Sequence, residues 1–183
     1  RVYAERQKAA QVETTFSIPH LFDGDREFRP NAVADRADGF GASLTLRGNR
    51  PVSHTVQFGE ETTLEAAGGD FRYGRGSATV RAIVTPKAVL AFAFEASAGT
   101  TTGTVPVQGR YYLGGPATLR GYHVAVTAGD SYWRGRLEVG NTFPAARITL
   151  FTDVGWAGAR SGFWNGKPLV GSGVGASFLD GLI

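Results

Sequence analysis

The feature that most constrains this chain is an alternation of apolar and polar side chains with a period of two residues. Between Arg147 and Trp156, one face would carry Ile148, Leu150, Thr152, Val154 and Trp156, and the other Arg147, Thr149, Phe151, Asp153 and Gly155. Successive side chains of a β-strand point to opposite faces, so this pattern predicts a strand with two chemically different sides. Similar alternation occurs at about residues 2–18, 39–50, 53–66, 71–85, 90–99, 131–139 and 170–178. The chain is therefore predicted to be all-β, with about eight strands.

The predicted connections alternate between long and short. Long ones lie at about 20–38, 103–130 and 158–168; short ones lie at 49–53, 85–87 and 142–145, and the one at 67–70 is ambiguous. Antiparallel barrels of the outer membrane have long extracellular loops and short periplasmic turns. The connection lengths therefore favour an antiparallel transmembrane β-barrel.

The two faces of the strands distinguish such a barrel from a soluble sandwich or lipocalin-like fold. A soluble fold needs many large apolar residues on its inward face. Here the apolar face carries only a moderate number of large apolar residues. The opposite face carries many charged residues: Glu61, Glu65, Glu95, Arg134, Arg136, Glu138, Arg147 and Asp153. A polar interior and a lipid-facing exterior accommodate both faces, and a soluble all-β binding protein remains the alternative.

Composition excludes several other classes. The chain has no cysteine, which rules out disulfides and thiolate metal sites. Its net charge of +3 is spread along the chain, without the basic run typical of nucleic-acid binding. No apolar run reaches the roughly 18 residues of a transmembrane helix. Since the chain starts at Arg1 without a signal-like segment, we expect it to be a piece of a longer protein.

No catalytic, metal or cofactor site is predicted. His20, His54 and His123 lie far apart and lack the spacing of metal ligands. The sequence contains no G-x-S-x-G motif. The glycine-rich stretch 171–175 lacks the strand-to-helix setting of a phosphate loop, and inward-facing glycines of a strand explain it better. We therefore expect a protein without enzymatic activity.

The stretch YYLGGPATLRGY, residues 111–122, is the strongest candidate for a functional site. Its Leu119-Arg120-Gly121-Tyr122 resembles the [V/I/L]-R-G-[F/Y] signature of the outer-membrane assembly and two-partner-secretion transporter superfamily, also called the bacterial surface antigen family. Downstream, Phe151-Thr152-Asp153-Val154-Gly155 resembles the F-x-D-x-G strand motif of that superfamily. One motif alone is weak evidence, but the two occur here in the expected order.

The resemblance implies an outer-membrane barrel of about sixteen strands. Residues 1–183 would be a partial barrel domain of about eight strands, with a lumenal loop at about 103–130. The function implied is insertion or translocation of other polypeptides, in the manner of the outer-membrane assembly (Bam/Tam-like) proteins. A two-partner-secretion transporter, or a barrel anchor attached to a patatin-like lipase, are the alternatives.

The resemblance also implies partners. These are outer-membrane lipid, unfolded outer-membrane or secreted polypeptide substrates, and the periplasmic POTRA domains of the full protein. Accessory lipoproteins or an inner-membrane partner complete the set, whereas nucleic acid and cofactors are not expected.

Within the loop, the resemblance implies that Arg120 pairs with Asp153 and with Glu138 as a second acidic partner. The alternation of side chains independently places both carboxylates on the polar face. A guanidinium is a planar fork of donors that can bind two carboxylates, which an ammonium cannot reproduce. Gly121 is expected to let the backbone approach the wall. The other residues of the predicted site are Leu119 and Tyr122 of the loop anchor, Gly114 and Gly115 of its turn, and Phe151 and Gly155 of the strand motif.

Overall fold

The computed structural model describes residues 1–7, 34–143 and 146–178. Ten strands are present in this part of the chain: β1 (Val2–Gln7), β2 (Ala37–Ser53), β3 (Val56–Gly69), β4 (Tyr73–Lys87), β5 (Leu90–Gly103), β6 (Tyr111–Leu113), β7 (Thr127–Gly129), β8 (Ser131–Asn141), β9 (Ala146–Gly158) and β10 (Leu169–Phe178). Eight of them form one antiparallel sheet in the order β1-β2-β3-β4-β5-β8-β9-β10, and β6 pairs with β7. The predicted all-β, antiparallel fold is confirmed.

The sheet is open. Within the described residues, β1 pairs with β2 alone and β10 with β9 alone, so the wall does not close on itself. Each strand neighbours the next one along the chain, apart from the β6–β7 hairpin, as in an up-and-down barrel. An open wall of this kind is consistent with a fragment of a larger barrel.

Two hairpin turns lie beyond their predicted positions. The stretch 49–53 belongs to β2, and 85–87 belongs to β4, so the turns fall at residues 54–55 and 88–89. The pairing register shifts beside Pro51 in the first hairpin and between Val84 and Lys87, around Pro86, in the second. Proline cannot donate to the ladder and is tolerated at such irregularities. The prolines therefore mark the ends of strands rather than the turns.

The apolar face of the sheet is exposed. Strand pairing aligns Phe92, Val139, Leu150 and Val174 across four neighbouring strands. Further exposed apolar residues of the same face are Leu44, Leu46, Leu64, Val80, Phe94, Leu137, Ile148 and Val170. Soluble monomers rarely expose apolar patches of this extent. This face is suited to contact with lipid.

Most of the small core lies on the other, polar face, whereas Trp156 is buried on the apolar side, where it packs edge-to-face with Phe163. The fully buried apolar side chains Leu113 and Leu119 both come from the connection between β5 and β8. The Cδ1 atom of Leu113 would lie 3.2 Å from a Cβ placed on Gly155 of β9, which shows how closely the connection packs on the wall. The connection therefore supplies the apolar contacts that the polar face lacks.

We expect Phe94→Arg to destabilise the protein in a lipid bilayer by about 2–4 kcal/mol. The Phe94 side chain is 48% exposed on the apolar face, where a charge would meet hydrocarbon. The matched control is Ala93→Arg, because Ala93 faces the polar side opposite Glu138 and should tolerate the new charge. Denaturant titration of the full-length protein in vesicles measures both changes, and equal losses would contradict this assignment of the faces.

Candidate functional site

Residues 104–130, which connect β5 to β8, fold back against the polar face of the sheet. Beyond β6 the chain reverses at Gly114 and Gly115, whose φ angles are 123° and 82°. Residues with a Cβ rarely adopt these angles. The reversal returns the chain to the sheet, where Leu119 is completely buried. Arg120 follows directly and is therefore delivered to the wall.

Arg120 binds carboxylates on two neighbouring strands. Its Nε donates to Oδ2 of Asp153 at 2.8 Å, and one terminal nitrogen donates to Oδ1 at 2.6 Å. The other terminal nitrogen donates to Oε1 of Glu138 at 2.5 Å. The guanidinium carbon lies 3.8 Å from the centroid of the Phe151 ring, a cation–π contact. The structure thus brings together Arg120, Glu138, Phe151 and Asp153.

Asp153 is 0% exposed, so its charge requires local compensation. The backbone N–H of Arg120 donates to it as well, at 2.9 Å. Arg136 adds a second positive charge, with Nε 3.3 Å from Oδ1 of Asp153. That contact lacks hydrogen-bond geometry. Arg120 is therefore the main partner of this buried carboxylate.

Arg120 is protonated and positively charged in this site. Hydrogen bonds to the Asp153 carboxylate hold the pKa of Arg120 above its ordinary value, with Glu138 acting in the same direction against partial burial. The guanidinium consequently stays charged throughout the physiological range, and the site does not act as a pH switch through this residue.

The segment after Arg120 contacts β10. The hydroxyl of Tyr122 donates to the carbonyl oxygen of Val170 at 2.9 Å and accepts from its backbone N–H at 3.2 Å. A Cβ on Gly171 would lie 2.0 Å from the carbonyl oxygen of Arg120, whereas a Cβ on Gly121 would find no atom nearer than 3.9 Å. Gly121 instead adopts a φ of 86°. The close backbone approach expected at Gly121 is therefore made by Gly171.

Sequence reasoning missed a second link between loop and wall. Arg134 and Arg81 both donate to the carboxylate of Glu95. Arg134 also donates to the carbonyl oxygen of Ala117 at 3.2 Å. The alternation of side chains had placed Glu95 and Arg134 on the polar face, but their pairing depends on the register between β5 and β8. The register could have been inferred only by aligning the two strands.

The described residues hold no group of three or more His, Asp or Glu side chains that could bind a metal ion. His54 and His123 are exposed, and His20 lies outside the described residues. In this part of the chain no helix has the length and apolar character needed to cross a membrane. The acidic residues of the site find their partners in arginine side chains.

Arg120 of the loop and Asp153 of β9, the central residues of the two predicted motifs, are thus joined by an ion pair. The family described as haemolysin secretion/activation protein ShlB/FhaC/HecB matches residues 39–178. The chain belongs to this family. The ShlB/FhaC/HecB proteins are outer-membrane β-barrel proteins, so the resemblance to the superfamily and the outer-membrane location are confirmed. No curated protein matches the chain at a significant level.

The ShlB/FhaC/HecB match covers the whole of the candidate site, from the loop at 104–130 to Asp153 and Gly171. The family consists of secretion transporters, which move polypeptides across the outer membrane. As a member of this family, the protein is a polypeptide-translocating β-barrel protein of the outer membrane.

We expect Arg120→Ala to lower the free energy of unfolding by about 3 kcal/mol, near the lower end of the range for breaking a buried ion pair, because Arg136 stays beside Asp153. The matched control is Arg110→Ala in the same connection. Arg110 lies 3.8 Å from Asp130 with both side chains 48% exposed, and its loss should cost less than about 1 kcal/mol. Denaturant titration of the full-length protein in vesicles separates the two variants; similar losses would refute the special role of Arg120.

Gly171→Ala should displace the loop, because the new Cβ would fall 2.0 Å from the carbonyl oxygen of Arg120. We expect a loss of about 1–3 kcal/mol, as for overpacking elsewhere. Gly175→Ala on the same face of β10 is the control, since its Cβ would meet no atom nearer than 3.9 Å. Protease sensitivity of the loop reports the displacement, and a loop equally resistant in both variants would contradict this reading of Gly171.

Proposed function

We propose that residues 1–183 form part of the barrel domain of a two-partner-secretion transporter, in which the segment 104–130 is a lumenal loop anchored by Arg120. The observation that carries this proposal is the match of residues 39–178 to secretion/activation proteins. The contacts of Arg120 with Asp153 and Glu138 support the role of the loop.

The proposed mechanism involves no covalent chemistry. A polypeptide in transit needs a polar path in which its backbone groups stay hydrated or hydrogen-bonded. The polar face of β2 to β4 offers exposed charged pairs, such as Arg47 with Glu61 at 2.9 Å. Arg81, paired with Glu95, is also largely exposed there. We assign the path to the space between this wall and the loop.

The anchor matters in this mechanism because it keeps the loop on one side of the lumen. Charge-assisted bonds from a planar fork fix both the position and the orientation of the loop tip. Burial of Asp153 adds to this, since moving Arg120 away would leave a buried carboxylate without its main partner. A loop held in this way leaves the rest of the lumen open to the substrate.

The assembly interpretation differs from secretion in its substrates. An assembly factor inserts many outer-membrane barrels, whereas a two-partner-secretion transporter exports one dedicated polypeptide. The family description, which names secretion and activation of haemolysin, supports secretion. The partners under this proposal are one secreted polypeptide, the lipid around the barrel, and periplasmic POTRA domains in the complete protein.

Depletion of the full-length protein in its own host tests the proposal. We expect the loss of one secreted polypeptide from the medium, with unchanged amounts of outer-membrane barrels. Complementation with the wild type should restore secretion, and the Arg120→Ala variant should restore it poorly although the control Arg110→Ala restores it fully. A general fall in outer-membrane barrels would favour the assembly interpretation instead, as measured by proteomics of the membrane fraction.

A further inference from the structure

The base of the loop makes a second attachment, far from Arg120. The backbone N–H of Val107 donates to Oδ2 of Asp35 at 2.8 Å. The backbone N–H of Asp35 donates to Oε1 of Gln108 at 3.0 Å, and Nε2 of Gln108 donates to the carbonyl oxygen of Asp35 at 3.0 Å. Gln108 also donates to the side chain of Gln7 at the end of β1. We call these four residues the rim clamp.

The rim clamp ties the loop to strands that are distant from β5 in the sheet. Asp35 lies just before β2, and β5 is separated from β2 by β3 and β4. With neighbouring strands about 4.8 Å apart, the two are about 14 Å apart along the sheet. The four steps from Gly103 to Val107 span at most about 14 Å when extended. The chain between them therefore crosses the sheet with little slack.

This crossing is supported at both ends. Gly103 leaves β5 with a φ of 83°, and the next residue, Thr104, donates its N–H to the carbonyl oxygen of Arg72 at 2.9 Å. Pro106 holds an extended conformation, with φ of −65° and ψ of 158°, before the 3-10 turn Val107–Gly109. The segment 103–109 thus crosses the end of β3 and β4, and we call it the strap.

The loop consequently has two fixed points on opposite parts of the wall. Its base is held beside β1 and β2 by the rim clamp, and its tip is held at β8 and β9 by Arg120. The base relies on hydrogen bonds to neutral amide and backbone groups together with one carboxylate, whereas the tip uses charge-assisted bonds at a buried carboxylate. Weakening the base therefore leaves the anchor at the tip in place.

We propose that Asp35 and Gln108 are positioning residues that set the width of the translocation path. They hold the strap across the end of the polar wall of β3 and β4, so that the opening at this end is narrowed. Release of the strap widens the opening without unfolding the barrel. This inference rests on the proposed function only in requiring that the full-length protein forms a pore.

Single-channel recording of the full-length protein in planar lipid bilayers, in KCl, tests the inference. Asp35→Ala should raise the fraction of time spent in a wide, high-conductance state by about fivefold, the change expected for the loss of one hydrogen bond. Gln108→Ala removes three hydrogen bonds of the rim clamp and should raise that fraction by more. Asp70→Ala is the matched control. Asp70, between β3 and β4 at the same end of the sheet, accepts a hydrogen bond from the backbone N–H of Asp38 at 2.9 Å. It does not bind the strap, so loss of its carboxylate should leave the conductance unchanged.

A reversible lock provides the second measurement. The sequence contains no cysteine, so Gln7→Cys with Gln108→Cys creates a single pair of thiols within this chain. The two glutamine side chains meet through their terminal amide groups, which cysteine lacks, so a short bis-methanethiosulfonate reagent, rather than a direct disulfide, links the two thiols. Cross-linking should suppress wide openings, and a reductant, which cleaves both mixed disulfides, should restore the pore with the weakened clamp. Heat-modifiable migration on a gel shows whether Asp35→Ala folds. The cross-linking test does not depend on that variant, because it compares one protein in two states.

Two results would overturn the inference while leaving the proposed function intact. One is a conducting wild type whose Asp35→Ala and Gln108→Ala variants, both folded, show unchanged openings. The other is a cross-linked cysteine pair that opens widely as often as the reduced form. A wild type that forms no pore would instead overturn the proposed function and this inference with it.

Discussion

The position of the loop on the sheet depends on one buried carboxylate, that of Asp153. Asp153 is 0% exposed on the polar face of β9 and would be strongly unfavourable there as an isolated charge. The loop between β5 and β8 supplies the compensating guanidinium of Arg120, which also binds Glu138. The ion pair and the position of the loop therefore depend on each other. Asp153 accepts three hydrogen bonds from Arg120, whereas Glu138 accepts one from Arg120 and the Nε of Arg136 makes none to Asp153.

The same dependence explains how a sheet with an apolar exterior obtains a core. Residues such as Phe94 and Leu150 face outward, where lipid stabilises them, so they cannot pack against one another inside. The polar face gains its apolar contacts from Leu113 and Leu119 of the loop. In this protein the loop takes the place of a hydrophobic core on the polar face. Its attachment at two ends holds these buried side chains against the wall.

Much of the fold could be predicted because strands impose a strict period of two. The phases of β8 and β9 place Glu138 and Asp153 on one face before any partner is considered. The turns were harder to place, since Pro51 and Pro86 lie at register irregularities rather than in the turns. The sequence contains no indication of the rim clamp, because Asp35 and Gln108 are 73 residues apart and neither lies in a motif.

The sequence by itself determined which side of each strand is polar, and its paired motifs indicated the family and the candidate role of Arg120. Local periodicity and short motifs carry this information because they depend only on neighbouring residues. Tertiary structure alone decided which glycine lets the backbones meet, namely Gly171, and where the base of the loop is held. Those features depend on how distant segments approach one another in space, and contacts of that kind leave no periodic trace in the chain.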